Sequence, residues 1–118
     1  MVAYQFPPAG GSGVQRSAKF AKYLPMYGWE PVVLTRKASR IGLRDHTLLK
    51  ELPADIEIIR TPARDLTAFS GPLSRMGKFI AWKLLIPDGE ILWMNQALKK
   101  ARERLAKGDI SSLYTTSY

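Results

Sequence analysis

The amino-acid sequence predicts an α/β fold built on a predominantly parallel sheet. Short β-prone runs alternate with segments of helical periodicity, the second run is almost continuously apolar, and a glycine-rich turn joins the first run to the first helix. A parallel strand covered on both faces needs apolar side chains at successive positions, which is the pattern of Pro31, Val32, Val33, Leu34 and Thr35. With 118 residues the chain fits one small domain or a piece of one, and excludes two full-sized domains.

Residues 2–6 form the first expected strand, stopped by Pro7 and Pro8; Ala9, Gly10, Gly11, Ser12 and Gly13 follow as a permissive turn. A helix is expected over residues 14–27, with Val14, Ala18, Ala21 and Leu24 along one face, Pro25 in its last turn and Gly28 as its stop. The second strand spans residues 31–35, a short helix residues 46–52, and a third strand residues 56–61 between Pro53 and Pro62. Residues 62–87 mix large apolar side chains with Arg64, Arg75, Lys78 and Lys83, the composition of a helix lying on a surface with snorkelling cations. The clearest helix starts at Asp88, buries a stripe of Ile91, Met94, Leu98, Ala101 and Leu105, and ends at Gly108. Residues 110–115 make a fourth strand. No repeat, low-complexity tract or linker interrupts this order.

Composition closes several function classes. Without cysteine there is no disulfide framework, no thiolate metal site and no cysteine nucleophile. The first residues lack the basic start and apolar run of a signal peptide, and no window approaches about 18 uninterrupted apolar residues, so a cytoplasmic protein is expected. The net charge of +8 implies anionic company. Neither a recognition helix nor a base-stacking motif accompanies that charge, so no nucleic-acid partner is expected. Contact with anionic lipid through residues 73–86 would place the protein at the inner face of a membrane.

The glycine-rich turn is the strongest chemical signal. Glycines permit close backbone approach, and the free N–H groups and dipole of a helix start attract an anion. Arg16, one turn into the helix, adds a fixed positive charge, which makes Gly10, Gly11, Ser12, Gly13 and Arg16 the candidate phosphate-binding residues. The same spacing also serves a plain strand-to-helix connection packed through small residues. It nearly matches the dinucleotide fingerprint, but Arg16 stands at the third glycine and Thr35 and Arg36, not an acid, end the second strand. No Lys-Ser/Thr pair closes a Walker loop. His46, the only histidine, sits beside Asp45 and Thr47 in a polar loop suited to capping, and the scattered aspartates supply no acid/base pair, so no catalytic residue and no metal site is assigned.

Three segments carry a family resemblance. They are residues 6–16 (Phe6 through the glycines to Arg16), Lys19 to Leu24, and Gly28 to Thr35, supported by Pro87-Asp88, Trp93, Ala97-Leu98 and the closing Leu113-Tyr114-Thr115-Thr116-Ser117. Together they resemble the start of family 4 glycosyltransferases. The resemblance implies the N-terminal half of a two-domain architecture of facing Rossmann-like domains, with the cleft between them as active site, retention of anomeric configuration and no required metal or other cofactor. Residues 1–118 would then be a partial acceptor-side domain, short of the C-terminal donor-binding domain. The nucleotide-sugar donor and a glycan or glycoconjugate acceptor are the implied partners of the whole enzyme, and Gly10 to Gly13 with Arg16 would lie near the donor diphosphate. The piece alone is expected to be inactive and, if its strands follow the order 3-2-1-4, to self-associate through an unpaired fourth strand. The alternative from another class is a stand-alone basic domain that binds anionic lipid or a protein.

Overall fold

The computed structural model describes residues 1–37, 43–62 and 91–116. Its elements are β1 (Val2–Ala3), α1 (Ser12–Tyr23), a 3-10 turn at Leu24–Tyr27, β2 (Val32–Arg36), α2 (Thr47–Lys50), β3 (Glu57–Thr61), α3 (Ile91–Leu105) and β4 (Thr115–Thr116). The four strands make one all-parallel sheet in the order β3-β2-β1-β4, so the α/β architecture and the 3-2-1-4 order are both observed. Residues 63–90, which include the expected surface segment and the Asp88 helix start, lie outside the described residues.

The sheet is covered on both faces, as the apolar run of β2 requires. Val33 points to one side with Phe6 and Ala21 of α1, joined by Leu52, Ile56 and Ile58. Leu34 points to the other, against Trp93 and Ala97 of α3 with Val2, Tyr4, Ile59 and Ala101 around them. Full burial of a side chain such as Val33 contributes roughly 1.5–3 kcal/mol, and Val33 and Ala21 are wholly inaccessible.

α1 forms because Val14, Ser17, Ala18 and Ala21 recur on one face, and small residues let it lie close to the sheet. It ends earlier than the expected residue 27: Pro25 cannot donate to the α-helical ladder, the chain tightens into the 3-10 turn, and Gly28 at φ 77° closes it. β1 is shorter than the expected 2–6, since the chain bends at Tyr4 and Gln5 before the two prolines, which have no N–H to give a ladder. β4 is likewise confined to Thr115–Thr116, not residues 110–115. The largest departure is the face of α3. Trp93 and Ala97 are its buried positions, whereas Met94, Leu98 and Leu105 of the expected stripe are exposed.

Candidate functional site

All four strands run the same way, so their carboxyl ends share one edge of the sheet. β2 and β3 extend the sheet on one side of β1 and β4 on the other, which makes the β1/β4 boundary the point where chain connections diverge. Open α/β sheets bind ligands outside the carboxyl ends of their strands at such a point. Only a small crevice of about 10 Å³ lies there, lined by Ala3, Tyr4, Gln5, Gly13, Arg16, Ser17 and Thr116, whereas a cavity of about 770 Å³ opens at the opposite, amino end of the sheet beside Val2, Val32, Arg104 and Ile110.

Beyond β1 the chain passes through Pro7 and Pro8, joined by a cis bond, into the glycine turn. Residues 43–45 run antiparallel beside it: the Gly10 N–H donates to the Leu43 carbonyl at 2.8 Å, the Asp45 N–H to the Pro8 carbonyl at 2.9 Å, and Ala9 bridges Arg44. From β3, the Arg60 Nη2 donates to the Pro7 carbonyl at 2.5 Å. The turn is therefore braced from two sides before it meets any ligand.

The five expected residues divide by role. Gly10 is structural, because its N–H is engaged and a Cβ there would lie 2.8 Å from the Leu43 Cγ. Gly11 caps α1 at φ 125° and ψ 164°, a backbone region essentially reserved for glycine, with open space where a side chain would be. As cap residue it supplies no side-chain acceptor to α1, and the first amides of a helix have no partner within it. Ser12 and Gly13 are the first two residues of α1. Gly13 has no positive φ, so backbone strain does not require glycine there; it lines the crevice. Arg16 is exposed, and its Nη2 donates to the Thr116 Oγ1 at 3.0 Å, tying α1 to β4 across the crevice.

Two further arginines stand at this edge. Arg36, the last residue of β2, holds its guanidinium 4.7 Å from the ring centroid of Tyr4, and its buried Nε has no hydrogen-bond partner. The buried Nη1 of Arg60 also lacks one, and burial pulls the Arg60 guanidinium below its ordinary pKa. Neither arginine takes part in an ion pair among the described residues. The carboxylate nearest in the chain to the turn's brace, Asp45, accepts from the Thr47 N–H at 2.9 Å and hydroxyl at 2.5 Å, which holds its pKa below the usual range. His46 precedes α2 without a side-chain cap bond, so capping falls to Asp45 instead.

The arrangement offers N–H groups, a helix dipole and guanidinium charge to an oxyanion. Among the described residues no three His, Cys, Asp or Glu side chains come together as ligands for a metal ion. Thr116 was noted only within the closing segment of the resemblance and the 43–45 brace not at all, since only the strand order and the packed loop bring them to the turn. Arg36 and Arg60 were not singled out as site residues from the sequence, where the two strands were read as spanning residues 31–35 and 56–61. Among the described residues no helix is long and apolar enough to cross a membrane, and residues 73–86, read as a lipid contact, lie outside them. Comparison with protein-family models, curated protein sequences and solved structures returned no significant match.

Proposed function

We propose that the chain is the acceptor-side, Rossmann-like part of a retaining glycosyltransferase that moves a sugar from a nucleotide-sugar donor to a glycan or glycoconjugate acceptor. The observation that carries this is a helix opened by a glycine, with Arg16 one turn in, placed at the divergence point of a parallel sheet. Such a helix start stabilises a diphosphate through N–H donation and dipole. The resemblance of residues 6–35 to family 4 glycosyltransferases supports the choice of a sugar donor over other phosphorylated ligands. In that family donor contacts come largely from the other domain, so this chain binds the diphosphate weakly and does not turn over nucleotide sugars by itself.

Calorimetric titration tests the reading. A nucleoside diphosphate binds whereas its parent nucleoside does not, and Arg16→Ala weakens binding by about ten-fold, the loss of one charge-assisted hydrogen bond. Equal affinity for nucleoside and nucleoside diphosphate, or an Arg16→Ala variant that titrates like the parent, refutes it.

A further inference from the structure

A second cation, Arg36, stands at the carboxyl edge on the other face of the sheet, outside the crevice wall. Tyr4 lines the crevice and is also the platform for Arg36. Its ring meets Trp93 edge-on, with centroids 5.2 Å apart. Trp93 Nε1 donates to the Thr61 Oγ1 at 2.5 Å, and that hydroxyl donates to the Thr35 carbonyl at 3.2 Å. Each member of this stack is held by the next except the last. Arg36 is half-buried, its covered Nε meets no acceptor, and its charge meets no carboxylate among the described residues. Lys37 follows it, exposed, and adds charge of the same sign.

Taking a cation partly out of water without a counter-charge is unfavourable, and an oxyanion reverses that. An arginine fixed flat on a ring suits this task, because its planar fork is already oriented for carboxylate or phosphate oxygens. Arg16 lines the crevice from α1, and Arg36 lies over Tyr4, which packs with Leu34 and Trp93 on the α3 face, so the carboxyl edge carries an arginine on each side of the sheet.

We propose that Arg36, carried on Tyr4, is a second oxyanion subsite, which takes a carboxylate or phosphate borne by the acceptor. Assigning this group to the acceptor rests on the glycosyltransferase reading above; the subsite itself does not. The acceptor class is then an acidic sugar or a phosphorylated glycoconjugate in place of a neutral glycan.

The experiment follows the arginine Nε–Hε resonances and the backbone amides by NMR in the full 118-residue chain, titrated separately with inorganic phosphate, glucuronate, glucose and pyrophosphate at constant ionic strength. The expected result is that phosphate and glucuronate shift the Arg36 Nε–Hε signal and glucose does not, and that the response persists in Arg16→Ala. A larger response to phosphate identifies a phosphorylated acceptor, and a larger response to glucuronate a uronic one. Arg36→Gln lowers affinity for the effective anion by about ten-fold and Arg36→Lys by less, because charge survives but the flat stack does not. If Arg36→Gln does not fold, the parent spectra decide. An Arg36 signal that ignores both anions, or follows glucose equally, overturns the proposal. The two proposals fail separately: silent Gly11 to Arg16 amides under pyrophosphate with a responding Arg36 remove the diphosphate reading and leave the subsite, and the converse removes the subsite alone.

Discussion

The two ends of the sheet handle charge in opposite ways. At the amino end, Glu57 opens β3 and Asp109 precedes β4, and both pair with Arg104 of α3, whose Nη2 lies 3.0 Å from the Glu57 Oε2. On the α1 side Glu51 takes Lys19 at 2.6 Å and Lys22 at 2.9 Å. At the carboxyl end Arg36 and Arg60 take part in no ion pair among the described residues, beside a helix start whose cap residue supplies no side-chain acceptor. Among the described residues the ion pairs of Lys19, Lys22 and Arg104 thus lie away from the edge where strands of an open α/β sheet meet their ligands, although Lys99, Arg102 and Lys107 toward the end of α3 also take part in none. Net charge alone could not show this, because it sums over both ends.

The largest effect is expected where the carboxyl edge rests on the core. Trp93 is 9% exposed and supports Tyr4, and through it Arg36. Trp93→Ala removes that support and lowers stability by about 3–5 kcal/mol, measurable by denaturant unfolding. A loss under about 1 kcal/mol would mean that the ring is not part of the core and that the edge is held by other contacts.

That residue also shows how far the sequence could be read. Alternation of strand-like and helical segments was enough for the sheet and its parallel sense, because each element announces itself locally, whereas the order 3-2-1-4 was only the arrangement common to such sheets. The face of α3 was not legible. Of the expected stripe Ile91, Met94, Leu98, Ala101 and Leu105, Ala101 does pack on the core, but Met94, Leu98 and Leu105 are more apolar than the Trp93-Ala97-Ala101 stripe that shares it and still stay outside. The helix buries the latter stripe because alanines let its backbone come close to β2 and β3, and a single large ring then fills the remaining gap. At the site, the glycines and Arg16 were legible as a local motif. Thr116 and the Leu43 brace were not, since each reaches the turn only through pairing across the sheet or between loops.

Within the glycine turn the comparison sharpens to one position. Gly11→Val places a branched side chain at φ 125°, which costs roughly 1–3 kcal/mol. The cost comes from backbone strain, since no atom stands within 4 Å of a Cβ there. Stability unchanged in denaturant unfolding would show that the backbone relaxes and that glycine is not required.

At the amino end the expected effect is smaller and depends on pH. The Lys19 and Lys22 ammonium groups hold the Glu51 carboxyl down to about 2, from an ordinary 4.5. A carboxylate with a lowered folded-state pKa stabilises fully above its unfolded value and loses that contribution as the pH falls. The thermal midpoints of the parent and Glu51→Gln should therefore differ above about pH 4.5 and converge by about pH 2. High salt should narrow the difference, because the three side chains are exposed. Parallel curves across that window would show that the ion pairs add nothing.

The central claim, that the start of α1 at the carboxyl end is the anion site, is tested most directly by mapping where an anion binds along the whole chain. Backbone amide spectra during a pyrophosphate titration should show the largest shifts at Gly11 to Arg16, with residues around Glu51, Arg104 and Asp109 unmoved, since the cations there are already bound to carboxylates. Shifts spread evenly over both ends, or concentrated at Lys19, Lys22 and Arg104, would contradict the account and reduce the basic surface to unselective attraction.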